Sequence, residues 1–331
     1  MTVNIDVHGH IVVEEILRSA AHDESWRPEI SRGSDGRQTL LINGMKDGPL
    51  PREAMDLPKI IENLDATKVD LMAVSPLPPL MQYHLDGEAG LTSCQVQNDA
   101  IAAAVARYPK RLAGLGVVPL QDVDLAVKEL ERVVRELHMP GLEIGSNVRG
   151  VYLGDASLRP FWAAVQDLDA FVFVHPFSPL GQDRLREYHL INLIGLVSDT
   201  ARAIADVCFS GLLEEFPRLK ICFSHGGGSA PYIVGRWDHG YAARTETKVR
   251  TAVPPSAFFK KLYFDSITHS ERALQFLVDT VGADHVMIGS DYPFDMGPAE
   301  PVRSVQENAL ISEADKAKIL GGNAELLLKL A

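Results

Sequence analysis

The chain predicts an α/β fold of the (β/α)₈ TIM-type barrel class. Three observations carry that expectation: eight short apolar, β-branched runs recur along 331 residues, helical patterns lie between them, and histidines and acids stand where those runs end. Length and a hydrophobic content of 46% allow one large core, and barrels of this kind reach such a size as a single unit. Residues 1–331 are therefore read as one barrel domain.

In chain order, the strands are expected at Val3–Val7, Val69–Val74, Leu112–Val118, Gly141–Ile144, Phe171–Val174, Leu219–Phe223, Leu262–Phe264 and Val286–Ile288. Strands of a parallel sheet read as nearly unbroken apolar runs because both faces are covered. Asp122–Leu137 carries apolar residues at Ala126, Leu130, Val133, Val134 and Leu137, one face of a helix, with Asp122 as its N-cap. Pro58–Thr67, Gln97–Tyr108, Leu158–Leu168, Asp199–Phe216 and Glu271–Val281 read as further helices. Two more are expected at Ser312–Leu320, opened by Ser312 with Glu313 behind it, and at Asn323–Leu330. No GxGxxG follows the first strand, which disfavours an open dinucleotide-binding sheet. Glu14–Asp56 breaks the repeat: it is polar, contains Gly33, Gly36, Gly44 and Gly48, and has one short apolar run, Thr39–Ile42, suited to a hairpin arm. We read it as an insertion after strand one that covers the barrel mouth as a lid.

Composition excludes several functions. The formal net charge is −12 and Lys and Arg are scattered, so no footprint for nucleic acid exists. Cys94, Cys208 and Cys222 lack the short spacings of a zinc cluster or a disulfide framework. The opening MTVNIDVHGH has neither the basic segment nor the apolar core of a secretory signal, and no apolar run reaches the roughly 18 residues of a membrane span. A cytoplasmic protein without a membrane partner is expected.

Chemistry in such a barrel collects at the C-terminal ends of the strands, where the loops that follow them build the site. His8 and His10 end strand one, His175 ends strand five, His225 ends strand six and Asp291 follows strand eight. Alternate residues of an extended chain point to one face, so the imidazoles of a His-x-His can reach the same ion from one rigid element. A third nitrogen from His175 and a carboxylate from Asp291 would complete a donor set suited to zinc, with manganese, iron or cobalt as alternatives. A single histidine at a strand end is usually structural. Four such motifs in order, each at the active end, argue for a site.

The runs Asp6-Val7-His8-Gly9-His10, His175-Pro176-Phe177, Cys222-Phe223-Ser224-His225-Gly226-Gly227-Gly228 and Gly289-Ser290-Asp291-Tyr292-Pro293-Phe294 resemble the amidohydrolase superfamily. More closely, they resemble its branch of nonoxidative decarboxylases typified by aminocarboxymuconate-semialdehyde decarboxylase, over nearly the whole chain. The resemblance implies that His8, His10, His175 and Asp291 ligate zinc, and that His225 is the general acid/base, with Asp291 sharing in catalysis. It places Arg52 near a substrate carboxylate, Phe294 among the substrate contacts, and Arg236 where family members offer an arginine to the neighbouring subunit, which implies a homodimer. Planar, permanently charged arginine suits a carboxylate. His189 and Asn192 stand where the typical member carries two tryptophans of the site wall, making this pocket more polar. Glu143 and Asp265 are open candidates for support of the ligands, whereas His84, His239 and His269 read as surface or loop residues.

The function expected is metal-dependent nonoxidative decarboxylation of an unsaturated or aromatic carboxylic acid. The ion would activate water or polarise a substrate oxygen, His225 would move the proton, and no organic cofactor is needed. The alternative is a metal-dependent hydrolase or hydratase acting on a related carboxylated ring-cleavage intermediate, and a third reading is a non-catalytic metal-binding scaffold.

Overall fold

The structure, a computed structural model, describes residues 3–20, 22, 24–34 and 36–330. Eight parallel strands form the barrel: β1 (Ile5–Ile11), β2 (Leu71–Pro76), β3 (Leu112–Gly116), β4 (Gly141–Gly145), β5 (Phe171–His175), β6 (Lys220–Phe223), β7 (Tyr263–Asp265) and β8 (Val286–Met287). They lie side by side in chain order, each followed by helical crossovers. Closure comes from the first and last elements. Val7 N donates to Ile288 O at 2.9 Å, His10 N to Tyr292 O at 2.7 Å, and Asp291 N to His8 O at 2.8 Å.

The expected pattern of burial is met. All residues of β5 are buried, with Phe171 and Phe173 inside the barrel beside Ile5, Val7, Ala73, Leu115, Cys222 and Met287. Ala324 and Leu327 from the last helix, Asn323–Leu327, and Leu328 just after it join this interior cluster. Val172 and Val174 face the second apolar layer, between sheet and helices, together with Ile221, Phe223 and Trp162. That division is the two-residue period of a strand covered on both sides.

Several boundaries differ from the sequence expectation for identifiable reasons. β1 runs on to Ile11 instead of ending at Val7, because Gly9 and His10 remain in register with Val74 and Ser75 of β2. The register shifts between Asp6 and Gly9, a bulge that brings His8 and His10 inward after Ile5 and Val7 have already faced the interior. The helix expected from Gln97 begins at Gly87, capped by Asp86, whose carboxylate accepts from Ala89 N at 2.9 Å. Asp199–Phe216 is two helices, Val197–Phe209 and Leu212–Glu215, broken at Gly211 with φ +77°. Ala230–Ala243 and Pro301–Gln306 are helices with no counterpart in the sequence reading. Asp122 and Ser312 cap as expected, accepting from Leu125 N and Asp315 N.

The segment after β1 holds a three-stranded antiparallel sheet, Glu29–Arg32, Gln38–Ile42 and Met45–Pro49, in which the expected hairpin arm is the central strand. Ala21, Asp23 and Asp35 of the expected insertion lie outside the described residues. Leu40 and Ile42 bury themselves with Val12, Val13 and Ile16, so the segment is anchored to the barrel rim by apolar packing.

Gly141 opens β4 where a side chain cannot fit: a Cβ there would lie 1.8 Å from the carbonyl oxygen of Phe171 on the neighbouring strand. Gly141→Ala must push two hydrogen-bonded strands apart, and is expected to cost about 3 kcal/mol, read as a lowered midpoint in chemical denaturation.

Candidate metal centre and active site

At the C-terminal rim, four side chains from three places in the chain converge. One donor atom each from His8, His10, His175 and Asp291 lies within 4.8 Å of the others, and all four residues are buried. Oδ1 of Asp291 is 3.1 Å from His8 Nε2, 3.2 Å from His10 Nε2 and 3.8 Å from His175 Nε2. The outer nitrogens of the rings are held elsewhere. His8 Nδ1 meets Asp265 Oδ2 at 2.7 Å, His10 Nδ1 meets Pro76 O at 3.2 Å, and His175 Nδ1 meets Pro176 O at 2.9 Å. Carbonyl and carboxylate acceptors at Nδ1 fix the proton there and turn the Nε2 lone pairs toward the centre.

The donor set fits a divalent ion. His8 Nε2 and His175 Nε2 are buried and find no hydrogen-bond partner of proper geometry among the described residues, a costly arrangement unless a cation takes their lone pairs. Electrostatics point the same way. Burial would raise the Asp291 carboxyl, yet His8 and the other imidazoles outweigh it and hold Asp291 well below the usual carboxylate range. Burial also works against protonation of His8, but Asp291 and Asp265 overcome it and push His8 up to about 10, while burial drives His175 down to about 3. The ionised Asp291 thus demands a positive partner among neutral rings, whether proton or metal.

Asp265 does more than fix His8. Its two oxygens accept from His225 N at 2.9 Å, Gly226 N at 2.8 Å and Ile267 N at 3.1 Å. These bonds hold the turn after β6, where His225 sits at φ +54°, a left-handed conformation costing on the order of 1–3 kcal/mol. His225 Nε2 ends 3.4 Å from Asp291 Oδ2, and its ring centre is 5.3 Å from that of His8. Asp291 shares the strain at φ +55°. Glu143 is wholly buried 3.8 Å from His10 Nδ1 without a hydrogen bond, and burial raises its carboxyl above the ordinary value.

A cavity of about 600 Å³ opens onto Asp291 and His225. Its wall includes Asn192, Tyr232, His269 and Arg272, with Leu196, Val197, Ile267 and Phe276 supplying apolar surface. Phe294 stands against the metal centre, its ring 5.7 Å from that of His10. The structure does not bring Arg52, Arg236 or His189 into this cavity. Arg52 is exposed and donates to Gly36 O at 3.4 Å, Arg236 is exposed on the helix Ala230–Ala243, and His189 is exposed at φ +58°. His269, read from sequence as a loop residue, and Arg272, which drew no attention, do line it. Both follow the end of β7, and that position was the available signal.

A family model described as Amidohydrolase matches residues 5–330. The chain belongs to the amidohydrolase family. A 2-amino-3-carboxymuconate-6-semialdehyde decarboxylase of Dictyostelium discoideum is 35% identical over 326 residues, spanning 98% of this chain and 90% of that protein. A gamma-resorcylate decarboxylase of Polaromonas sp. (strain JS666) is 32% identical over 348 residues, spanning 100% of this chain and 99% of that one. Among solved amidohydrolase-like structures, a dihydroxybenzoic acid decarboxylase from Polaromonas sp. JS666, with bound manganese and 2-nitroresorcinol, superposes with a TM-score of 0.81. It is 27% identical and covers 100% of this chain and 98% of its own.

Asp265→Asn keeps the shape but removes the charge that fixes His8 and weakens the acceptor under the His225 turn. Metal affinity, titrated against a chromophoric chelator, is expected to fall about 10- to 100-fold.

Proposed function

We propose that this protein is a metal-dependent nonoxidative decarboxylase, a carboxy-lyase acting on an aromatic or otherwise conjugated carboxylic acid. The observation that carries the reading is His225: a partly exposed imidazole on a turn whose main-chain N–H groups Asp265 holds, with Nε2 3.4 Å from Asp291 Oδ2, lining the cavity beside the four-donor centre. A metal-binding scaffold has no use for such a group. His8, His10, His175 and Asp291 would hold the ion, for which zinc is our first choice and manganese the second. When bound, the ion supplies positive charge and Lewis acidity to a substrate oxygen.

The chain's own residues do the rest. Apolar walls from Leu196, Val197, Ile267 and Phe276 hold a planar conjugated group and exclude water, and Phe294 closes the side nearest His10. With the carboxylate turned out of the π plane, its C–C bond breaks, CO₂ leaves and the electron pair enters the conjugated system. His225 then delivers a proton to that carbon and is reprotonated from solvent, so no organic electron sink is required. We place the protein in the cytoplasm and favour a homodimer. Arg236 and Tyr232, the latter 84% exposed, share one outer helix, and Ile191, Leu193 and Ile194 are also exposed, apolar surface that a second copy would cover. The segment Glu14–Asp56, anchored at the rim, would then serve as a lid.

Two measurements test this proposal. Metal-loaded protein incubated with carboxylated phenols and muconate semialdehydes is expected to release CO₂, to stop when dipicolinate strips the metal, and to lose about 10²- to 10⁴-fold in kcat in His225→Ala. Substrate loss without CO₂ would instead establish the hydrolase or hydratase reading. Sedimentation is expected to give a dimer, and Arg236→Ala to cost activity that returns when it is mixed with a His8→Ala variant, since one hybrid site then has both residues. Absence of that complementation removes Arg236 from the neighbouring site.

A further inference from the structure

We infer that Glu143, a buried carboxylate that the proposed reaction does not use, is a positioning residue for His10, standing behind that ring to strengthen its hold on the ion. This rests on the reading of His8, His10, His175 and Asp291 as a metal centre, and not on the identity of the substrate.

Glu143 faces the barrel interior. Its neighbours on β4, Leu142 and Ile144, belong to the apolar layer between sheet and helices, so the two-residue period turns Glu143 the other way, in register with Phe173 of β5. Phe173 is part of the interior apolar cluster, and its ring lies 4.7 Å from that of His8. The carboxyl is thus set into an apolar interior, 3.8 Å from His10 Nδ1.

Its bonding separates it from the other buried acids. Glu129 accepts from Asn98 and Arg132, Asp199 from Asn147 and Tyr152, and Asp265 from His8 and three main-chain N–H groups. Among the described residues, Glu143 is the one buried side chain with two polar atoms that lack any hydrogen-bond partner. The nearby Ser75 hydroxyl donates to Gly9 O at 3.3 Å instead. An unsatisfied buried carboxyl destabilises a fold, and an apolar side chain of similar volume would fill the same space without that cost.

What the position offers is charge toward His10. The outer nitrogens of His8 and His175 make contacts of 2.7 Å to Asp265 and 2.9 Å to Pro176 O, whereas His10 Nδ1 reaches Pro76 O at 3.2 Å, the longest of the three. A metal-bound imidazole carries part of the cation's charge onto its outer N–H, so an anion on that side stabilises the loaded form more than the empty one. Glu143 is the acid on that side of His10 and stands outside the four-donor group, so it acts on the ion through the ring.

The test separates service to the ion from service to the fold. Zinc alone, titrated into metal-stripped protein against a chromophoric chelator, is expected to bind about 10- to 100-fold more weakly to Glu143→Gln and Glu143→Met, with Glu143→Asp recovering part of the loss. The thermal midpoint of metal-free Glu143→Met is expected not to fall, because the unbonded carboxyl is gone. Affinity no weaker than wild type in Glu143→Gln, or weaker affinity accompanied by a lower metal-free midpoint in both variants, would overturn the inference. Wild-type protein that took up no zinc would bring down the metal centre and this inference with it. Failure of every acid to yield CO₂ would sink only the decarboxylase reading, because affinity here is measured without turnover.

Discussion

A buried carboxylate at the end of β7 sets the geometry on which the rest of the site depends. Asp265 takes one proton-bearing nitrogen from His8 and three backbone N–H groups from residues 225, 226 and 267. Four donors keep it ionised: burial would raise it, but the bond and charge of His8 and the nearby His225 bring it below the ordinary carboxylate value. One anion thereby aims a metal-facing imidazole and shapes the turn that carries the acid/base. Distances between the two functions are fixed together, which is why neither can drift while the other stays.

Asp291 is the opposite pole of the same arrangement. Its charge is buried among rings that burial tends to keep neutral, and a single Oδ1 faces three Nε2 atoms. Burying an anion this way is unfavourable unless a cation shares the space. The cluster is consequently a poor piece of scaffold and a good binding site, and the left-handed backbone at His225 and Asp291 is the strain that such positioning tolerates.

Much of this was legible in the sequence, and the misses have physical causes. Barrel strands announce themselves because both faces are apolar, and β5 was found to within one residue of its observed end. β1 was cut short at Val7 because hydropathy ends where the histidines begin, whereas the strand is prolonged by main-chain pairing that no side chain reports. Asp265 could only be left open, since its four partners come from three chain segments that a linear reading does not bring together. Arginines chosen by resemblance, Arg52 and Arg236, lie on the outside of a single chain, while Arg272 went unnoticed because a charged residue in the first turn of an outer helix looks like any solvated one.

The seam between β1 and the segment after β8 passes directly through the donor residues. Asp6 Oδ1 accepts from both His8 N and Ser290 N, and the main chains of His8, His10, Asp291 and Tyr292 bond across it. Closing the barrel and assembling the centre are therefore a single event. A nascent chain can emerge with its three histidines already made and still have no competent site. Only when the last strand docks beside the first does the fourth donor arrive, so loading must follow synthesis of nearly the entire polypeptide.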